Sequence, residues 1–152
     1  MTRQRALVLM VISLLAAALL RLPQLEHSPP GPHYDEAANG ILAAEIGLDG
    51  ARPLFISSYT GKEVLFFYAA GALMRLTGPS LFALRLTAAY FGLLSVAATY
   101  WLGRALLADR RVAVFAAALL AVSFWHLLFS RLGFRAISQP LLQALAVAAV
   151  FR

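Results

Sequence analysis

Long stretches without a charged side chain dominate this chain and limit what it can fold into. They cover residues 6–20, 86–103, 112–130 and 136–151. A helix needs roughly 20 residues to cross the hydrocarbon core of a membrane, with leeway where flanking Arg side chains reach the interface. Only 13% of the residues are charged, whereas a soluble domain carries about 25%. We therefore predict an all-α fold, a polytopic transmembrane helical bundle.

The predicted spans leave one long loop. We expect three whole spans near residues 6–22, 80–107 and 112–130, and a fourth, cut short, over 136–152. Residues 23–79 then form an outer loop. The basic start of the chain would also suit a signal peptide, but no small-residue cleavage site follows the first apolar run, so an uncleaved anchor is favoured. We read residues 1–152 as the amino-terminal part of one membrane domain.

Two segments of this outer loop have helical patterns. Residues 35–48 place Asp35 as the N-cap and gather small, polar side chains on one face, which is typical of a helix lying on a membrane surface. Residues 62–77 are apolar, but their uncharged part is too short to span alone. If both segments lie on the surface, the basic amino terminus and Arg110–Arg111 share the cytoplasmic side, in agreement with the positive-inside rule. We favour this topology over one in which 62–77 crosses the membrane.

Charge and cysteine content exclude some classes of function. The net charge is +6, but the arginines are scattered at predicted helix ends rather than gathered on one soluble face, so we predict no nucleic-acid partner. The chain has no cysteine, which excludes disulfides and thiolate metal sites. His27 and His33 lack a convincing ligand spacing. We predict no obligatory metal, although a divalent ion stays open.

The outer loop holds six of the seven acidic residues, and Asp35 and Glu36 stand side by side in it. An aspartate before an Ala-rich helix is most often an N-cap. A carboxylate fixed at a membrane face can also be a general base that takes the proton of an acceptor hydroxyl. The two interpretations are compatible. We predict Asp35 as the catalytic residue and Glu36 as a substrate-binding residue.

Four stretches follow one another in a specific order: HYDEAANGILAAEIGLDG, PLFISSYTGKEVLFFYAAGALMRLTG, LFALRLTAAYFGLLSVAATYWLGRALL and SRLGFRAISQPLL. Together they resemble the amino-terminal part of a C-type glycosyltransferase, in the bacterial branch of the protein O-mannosyltransferase and aminoarabinose-transferase superfamily. The resemblance runs from Leu7 to the end. Relatives commonly have a proline after the Lys-Glu pair, where this chain has Val64.

The resemblance implies a mannosyltransferase-like enzyme of the cell envelope. It would take a sugar from a polyprenyl-phosphate donor and transfer it, at the outer face of the inner membrane, to a hydroxyl of a protein, lipid or glycan. Its catalytic aspartate falls on Asp35. The implied partners are membrane lipids, the lipid-linked donor and an unidentified acceptor. Because the superfamily fold has more spans, we expect this chain alone to be inactive.

Four further charged residues are candidates for binding such a donor. Lys62 either anchors an interfacial helix to lipid headgroups or holds the donor phosphate as a point charge. Glu63 either orients Lys62 or joins a metal site, as a carboxylate does in some relatives. Arg131 and Arg135 are either interfacial anchors or guanidinium forks that bind phosphate. We predict all four as substrate-binding residues.

A non-catalytic membrane protein or transporter fragment, whose outer loop binds a partner, is the alternative. Transport would require ionisable side chains along a path at mid-membrane depth. His126 is the nearest candidate, and helix–helix hydrogen bonding is the commoner role for such a residue. The predicted spans otherwise lack ionisable residues at mid-membrane depth, which favours the enzyme.

Overall fold

Helices account for nearly all regular structure in the computed structural model, which describes residues 1–58, 61–107 and 109–151. Within these ranges there is no strand, and a single antiparallel bridge joins Ile56 and Lys62. The all-α prediction is confirmed. The helices are α1 (Arg3–Arg21), α2 (Tyr34–Gly47), α3 (Leu65–Thr77), α4 (Leu81–Leu106), α5 (Arg110–Val122), α6 (Phe124–Arg131) and α7 (Ser138–Val150), with a 3-10 turn at Arg135–Ile137.

Polar side chains cap the starts of α4 and α5. The Ser80 hydroxyl accepts a hydrogen bond from the Ala83 N–H at 3.1 Å at the start of α4. The Asp109 carboxylate accepts one from the Arg111 N–H at 2.8 Å at the start of α5. Such caps satisfy N–H groups that have no partner within the helix. They divide the apolar sequence into separate helices.

The long helices match the predicted spans in part. Among the described residues, α1 and α4 are long and apolar enough to cross a membrane, and α5 with α6 makes a third candidate if the bent pair counts as one span. α1 and α4 correspond to the predictions at 6–22 and 80–107. The predicted fourth span begins as the 3-10 turn and continues as α7, which has 13 residues. α4 lies at the centre and contacts every other helix.

The predicted span at 112–130 is not a straight helix. The chain bends by 56° between α5 and α6, where Ser123 has non-helical angles (φ −59°, ψ 123°). A sharp bend frees carbonyl oxygens that a straight helix would use. The Arg21 guanidinium of α1 donates to two carbonyl oxygens at the bend, those of Ala121 at 2.8 Å and Leu120 at 3.5 Å. Arg21 is fully buried, so its side chain points into the bundle.

α2 and α3 form a hairpin in which two glycines let the backbones touch. A Cβ atom on Gly47 would lie 2.4 Å from the Gly71 carbonyl oxygen, and one on Gly71 would lie 2.7 Å from that of Ala43. α3 has 13 residues and is about 20 Å long, too short for a hydrocarbon core of about 30 Å. This length agrees with the prediction that 62–77 does not span alone. Its position on a membrane surface stays a prediction.

The hairpin is attached to α4 through a buried apolar cluster. Leu42 of α2, Phe66 and Phe67 of α3, and Leu84 of α4 are buried in it. The two phenylalanine rings meet edge to face with centroids 5.9 Å apart. Aromatic side chains of this size bury much apolar surface and dominate core energetics. The cluster holds the second half of α2 against α3 and α4.

Candidate active site

His33, and not Asp35, caps α2. The His33 Nδ1 atom accepts a hydrogen bond from the Asp35 N–H at 3.4 Å, and the Glu36 carboxylate accepts one from the His33 N–H at 3.0 Å. The predicted N-cap is therefore wrong, because this reciprocal box already satisfies the first N–H groups of a helix that begins at Tyr34. The Asp35 side chain is left 50% exposed, with its Oδ2 atom 3.9 Å from His33 Nδ1.

Glu36 is buried in a two-point ion pair with Arg85 of α4. The Arg85 Nε and Nη2 atoms donate to its carboxylate at 2.8 and 2.9 Å, and the Gly133 N–H donates to the same carboxylate at 2.8 Å. Burial opposes ionisation, but these bonds and the one from His33 outweigh it and lower the pKa of Glu36. Glu36 thus joins α2 to α4 and to the loop after α6. Substrate binding by Glu36 stays a prediction, since here both carboxylate oxygens are bonded within the chain.

Lys62 is a buried cation whose backbone and side chain are both held. Its N–H donates to the Ile56 carbonyl at 2.8 Å, and its carbonyl accepts from the Ile56 N–H at 3.1 Å. Its Nζ atom lies 3.4 Å from the Asn39 side-chain oxygen and 5.9 Å from the centre of the Phe67 ring. Burial, with a smaller effect of Arg135, lowers the pKa of Lys62, although Asp35 and Glu63 act in the opposite direction.

Asp35, Lys62 and Arg135 line one pocket of about 140 Å³. Pockets for drug-sized ligands have about 300–1,000 Å³, so this one suits a phosphate or a small part of a larger substrate. Three of the six predicted site residues line it, and they bring one carboxylate next to two cations. The lining residues are Tyr34, Asp35, Ala38, Asn39, Lys62, Phe134 and Arg135.

Glu63 does not line this pocket, but it pairs with Arg135, which does. The Arg135 Nη1 atom pairs with the Glu63 carboxylate, and both side chains are partly exposed, at 28% and 47%. Exposed ion pairs contribute little to stability. The pair instead orients the Arg135 guanidinium, which comes from the 3-10 turn, against the segment that carries Lys62.

Arg131 lies away from the pocket and binds the connector between α1 and α2. Its Nη1 atom donates to the Leu20 and Arg21 carbonyls, both at 3.0 Å, and its Nη2 atom donates to those of Pro23 and Ser28, both at 2.9 Å. Four backbone acceptors thus occupy the guanidinium. Substrate binding by Arg131 stays a prediction that these contacts do not favour.

Asn39 is the residue that the sequence analysis missed. Its amide nitrogen donates to the Gly133 carbonyl at 3.0 Å, and its oxygen lies near Lys62 Nζ. It therefore connects the buried lysine with the loop that binds Glu36. A signal existed, because Asn39 stands one helical turn after Asp35 and Glu36, where its side chain comes to the same part of the helix surface.

The transport candidate does not line this pocket. His126, the transport candidate, accepts a hydrogen bond from Arg21 Nη2 through Nδ1 at 3.0 Å, which confirms helix–helix bonding as its role in this structure. Among the described residues, no three His, Cys, Asp or Glu side chains are grouped as metal ligands would be. The prediction about a metal is not tested by this finding.

Comparison with known proteins identifies a family that this chain matches. The family model of dolichyl-phosphate-mannose-protein mannosyltransferases matches residues 23–150, which is most of the chain and includes the whole pocket. No curated protein and no solved structure matches the chain.

Proposed function

The chain belongs to the dolichyl-phosphate-mannose-protein mannosyltransferase family. We propose that it transfers a sugar from a lipid-linked donor to an acceptor hydroxyl, with Asp35 as the general base. Membership implies a membrane glycosyltransferase with a polyprenyl-phosphate-linked mannose donor. The observation that carries our proposal is the meeting of one half-exposed carboxylate and two cations at a single small pocket.

The reaction would be a direct displacement with inversion. The Asp35 carboxylate takes the proton of the acceptor hydroxyl, and the acceptor oxygen forms a bond to the anomeric carbon. The bond between that carbon and the phosphate oxygen breaks, and the polyprenyl phosphate leaves with the electron pair. General base catalysis requires a carboxylate within hydrogen-bond reach of the acceptor. A half-exposed Asp35 that caps nothing is available for such a contact.

Lys62 and Arg135 would stabilise the leaving phosphate. Negative charge grows on the phosphate as the bond breaks, and fixed cations lower the energy of that state without having to reorganise. Burial of Lys62 strengthens this effect, because a charge acts over a longer distance where water is scarce. Glu63 would orient Arg135, whereas Glu36 and Arg131 would hold the framework that carries the site.

The proposal places the pocket on the outer face of the cytoplasmic membrane and the amino terminus in the cytoplasm. Arg3, Arg5, Arg110 and Arg111 then share the cytoplasmic side. The chain has no cysteine, so single-cysteine variants report topology directly. In intact cells, a membrane-impermeant maleimide should label His27→Cys and leave Thr2→Cys unlabelled. The reverse pattern would invert the topology.

The function itself is tested by introducing Asp35→Asn into the complete protein, in membranes supplied with a radiolabelled polyprenyl-phosphate mannose. We expect sugar transfer to fall by about 10²-fold or more, with the protein level and thermal unfolding unchanged. Glu26→Gln is the matched control, because it removes an exposed carboxylate of the same loop that does not line the pocket. Turnover by Asp35→Asn close to that of Glu26→Gln would refute the role of Asp35.

A further inference from the structure

A second cavity, of about 520 Å³, lies between α1 and α5. It shares no lining residue with the candidate active site. Two arginines belong to its lining, one from each helix, and the other side chains are mostly apolar. The lining residues are Met1, Arg5, Leu9, Ile12, Ser13, Arg111, Val114, Phe115 and Ala118. We call this cavity the α1–α5 cleft.

The two arginines stand at the same end of the cleft. Arg21, at the end of α1, binds carbonyl oxygens in the last turn of α5. Arg5 and Arg111, near the starts of these helices, line one cavity. The two helices therefore run in the same direction, and both guanidinium groups lie at the end where the helices begin.

Neither guanidinium has a partner within the described part of the chain. The backbone N–H of Arg5 is bonded to Thr2, and that of Arg111 to Asp109, but no hydrogen bond or ion pair of either side chain occurs there. Asp109 is the one acid next to this end in the sequence, and Arg3 and Arg110 add positive charge. Unpaired cations remain at the cleft entrance.

The walls of the cleft suit hydrocarbon. Leu9, Ile12 and Phe115 are 44%, 55% and 64% exposed, as expected for side chains that face lipid. From Arg5 to Ser13 the α1 backbone rises about 12 Å. The cleft is thus an apolar slot that runs along two membrane helices and ends at a pair of cations.

We propose that the α1–α5 cleft binds an anionic glycerophospholipid of the bilayer. Its phosphate would lie between Arg5 and Arg111, which can bind it with two N–H groups each, and one acyl chain would fill the slot. Basic pockets between membrane helices commonly bind anionic headgroups. A zwitterionic lipid would bring a cation next to the arginines, and an apolar helix would leave both guanidinium groups unpaired. Charge complementarity therefore favours the anionic lipid.

The test uses the protein in nanodiscs of equimolar phosphatidylglycerol and phosphatidylcholine, ejected into a mass spectrometer that counts retained lipids. We expect the ratio of retained phosphatidylglycerol to retained phosphatidylcholine to exceed its bulk value of about one by roughly fivefold for each arginine. Loss of both guanidinium groups in Arg5→Gln/Arg111→Gln should bring this ratio back to its bulk value. Arg5→Lys/Arg111→Lys keeps the charge and should keep the preference.

Arg3→Gln/Arg110→Gln is the matched control, because it removes two positive charges from the same two helix ends, and neither residue lines the cleft. Equal loss of preference in this control would mean bulk attraction and would refute a built site. A wild-type ratio equal to the bulk value, or a preference that survives in Arg5→Gln/Arg111→Gln, would also refute it. Circular dichroism of each variant checks that the helices are retained.

Discussion

The Arg85 guanidinium and the Glu36 carboxylate form a buried ion pair with two hydrogen bonds, of 2.8 and 2.9 Å, while Asp35, one residue earlier, remains half exposed. Two neighbouring acids thus have different roles. Glu36 joins three elements of the fold, and Asp35 is presented at the pocket. Arg85 also donates to the Leu25, Pro29 and Gly31 carbonyls, so the pair holds the whole connector before α2.

Glu36→Gln should strongly destabilise the protein. It leaves the Arg85 guanidinium, which is completely buried, without its counter-charge, and breaking a buried pair from one side costs about 3–5 kcal/mol. Thermal unfolding in detergent measures the effect. Glu45→Gln, an exposed carboxylate of the same helix, should change the free energy of unfolding by less than about 0.5 kcal/mol. Equal melting temperatures for the two variants would contradict a structural role of Glu36.

Acid should destabilise the protein through the same carboxyl group. Because the folded state lowers the pKa of Glu36 below its ordinary 4.5, the ionised carboxylate stabilises the fold at every pH above the unfolded pKa. This contribution decreases as the pH falls below 4.5 and is lost once the pH passes the lower folded pKa. The melting temperature, followed from neutral pH to about pH 3, should fall more steeply in the wild type than in Glu36→Gln. Parallel curves would assign the acid sensitivity to other groups.

Lys62→Met should lower kcat/KM for the lipid donor more than kcat/KM for the acceptor. A hydrogen bond to a charged group contributes about 1.5–3 kcal/mol, so we expect kcat/KM for the lipid donor to fall roughly tenfold to a hundredfold. Lys62→Arg keeps the charge and should recover part of the loss. Arg75→Met provides a control, because this cation binds the Gly47 carbonyl outside the pocket. If only the KM for the acceptor changed, Lys62 would not be the residue that binds the donor phosphate.

Gly47→Ala should separate the α2–α3 hairpin. The new Cβ would lie 2.4 Å from the Gly71 carbonyl oxygen, and a clash with backbone cannot be relieved by a side-chain rotation. Overpacking of this kind costs about 1–3 kcal/mol, measured as a lower melting temperature. Gly40→Ala is the control in the same helix, because its Cβ would meet only the Leu84 side chain at 3.8 Å. It should be neutral or stabilising, by up to about 1 kcal/mol; an equal loss would refute the close contact.

Much of the helix pattern could be predicted because it depends on local sequence. The predicted spans at 6–22 and 80–107 differ from α1 and α4 by a few residues at each end. The surface segments at 35–48 and 62–77 likewise correspond to α2 and α3. The bend at Ser123 was not predicted, and the carbonyls there are bonded by Arg21 of another helix, a contact that local sequence does not show.

The predicted site residues fall into two groups in the structure. Asp35, Lys62 and Arg135 were expected together and do line one pocket. The sequence analysis treated Glu36 and Arg131 as equal candidates for substrate contact, but the fold bonds them to Arg85 and to the α1–α2 connector. Charge and position along the chain do not show whether a residue binds substrate or holds the fold. An arginine that binds phosphate and one that binds backbone carbonyls look the same in sequence.

A helical membrane protein follows from the sequence alone, because apolar stretches near 20 residues long satisfy their backbone hydrogen bonds within each helix wherever they lie. The position of six of the seven acids in one loop is also evident from the sequence. Which charges pair depends on the tertiary structure. Gly133 reaches Glu36 across 97 residues, and Arg85 does so across 49. Such contacts depend on how α2, α3 and α4 pack together, and that packing made one acid of a neighbouring pair structural and left the other exposed at the pocket.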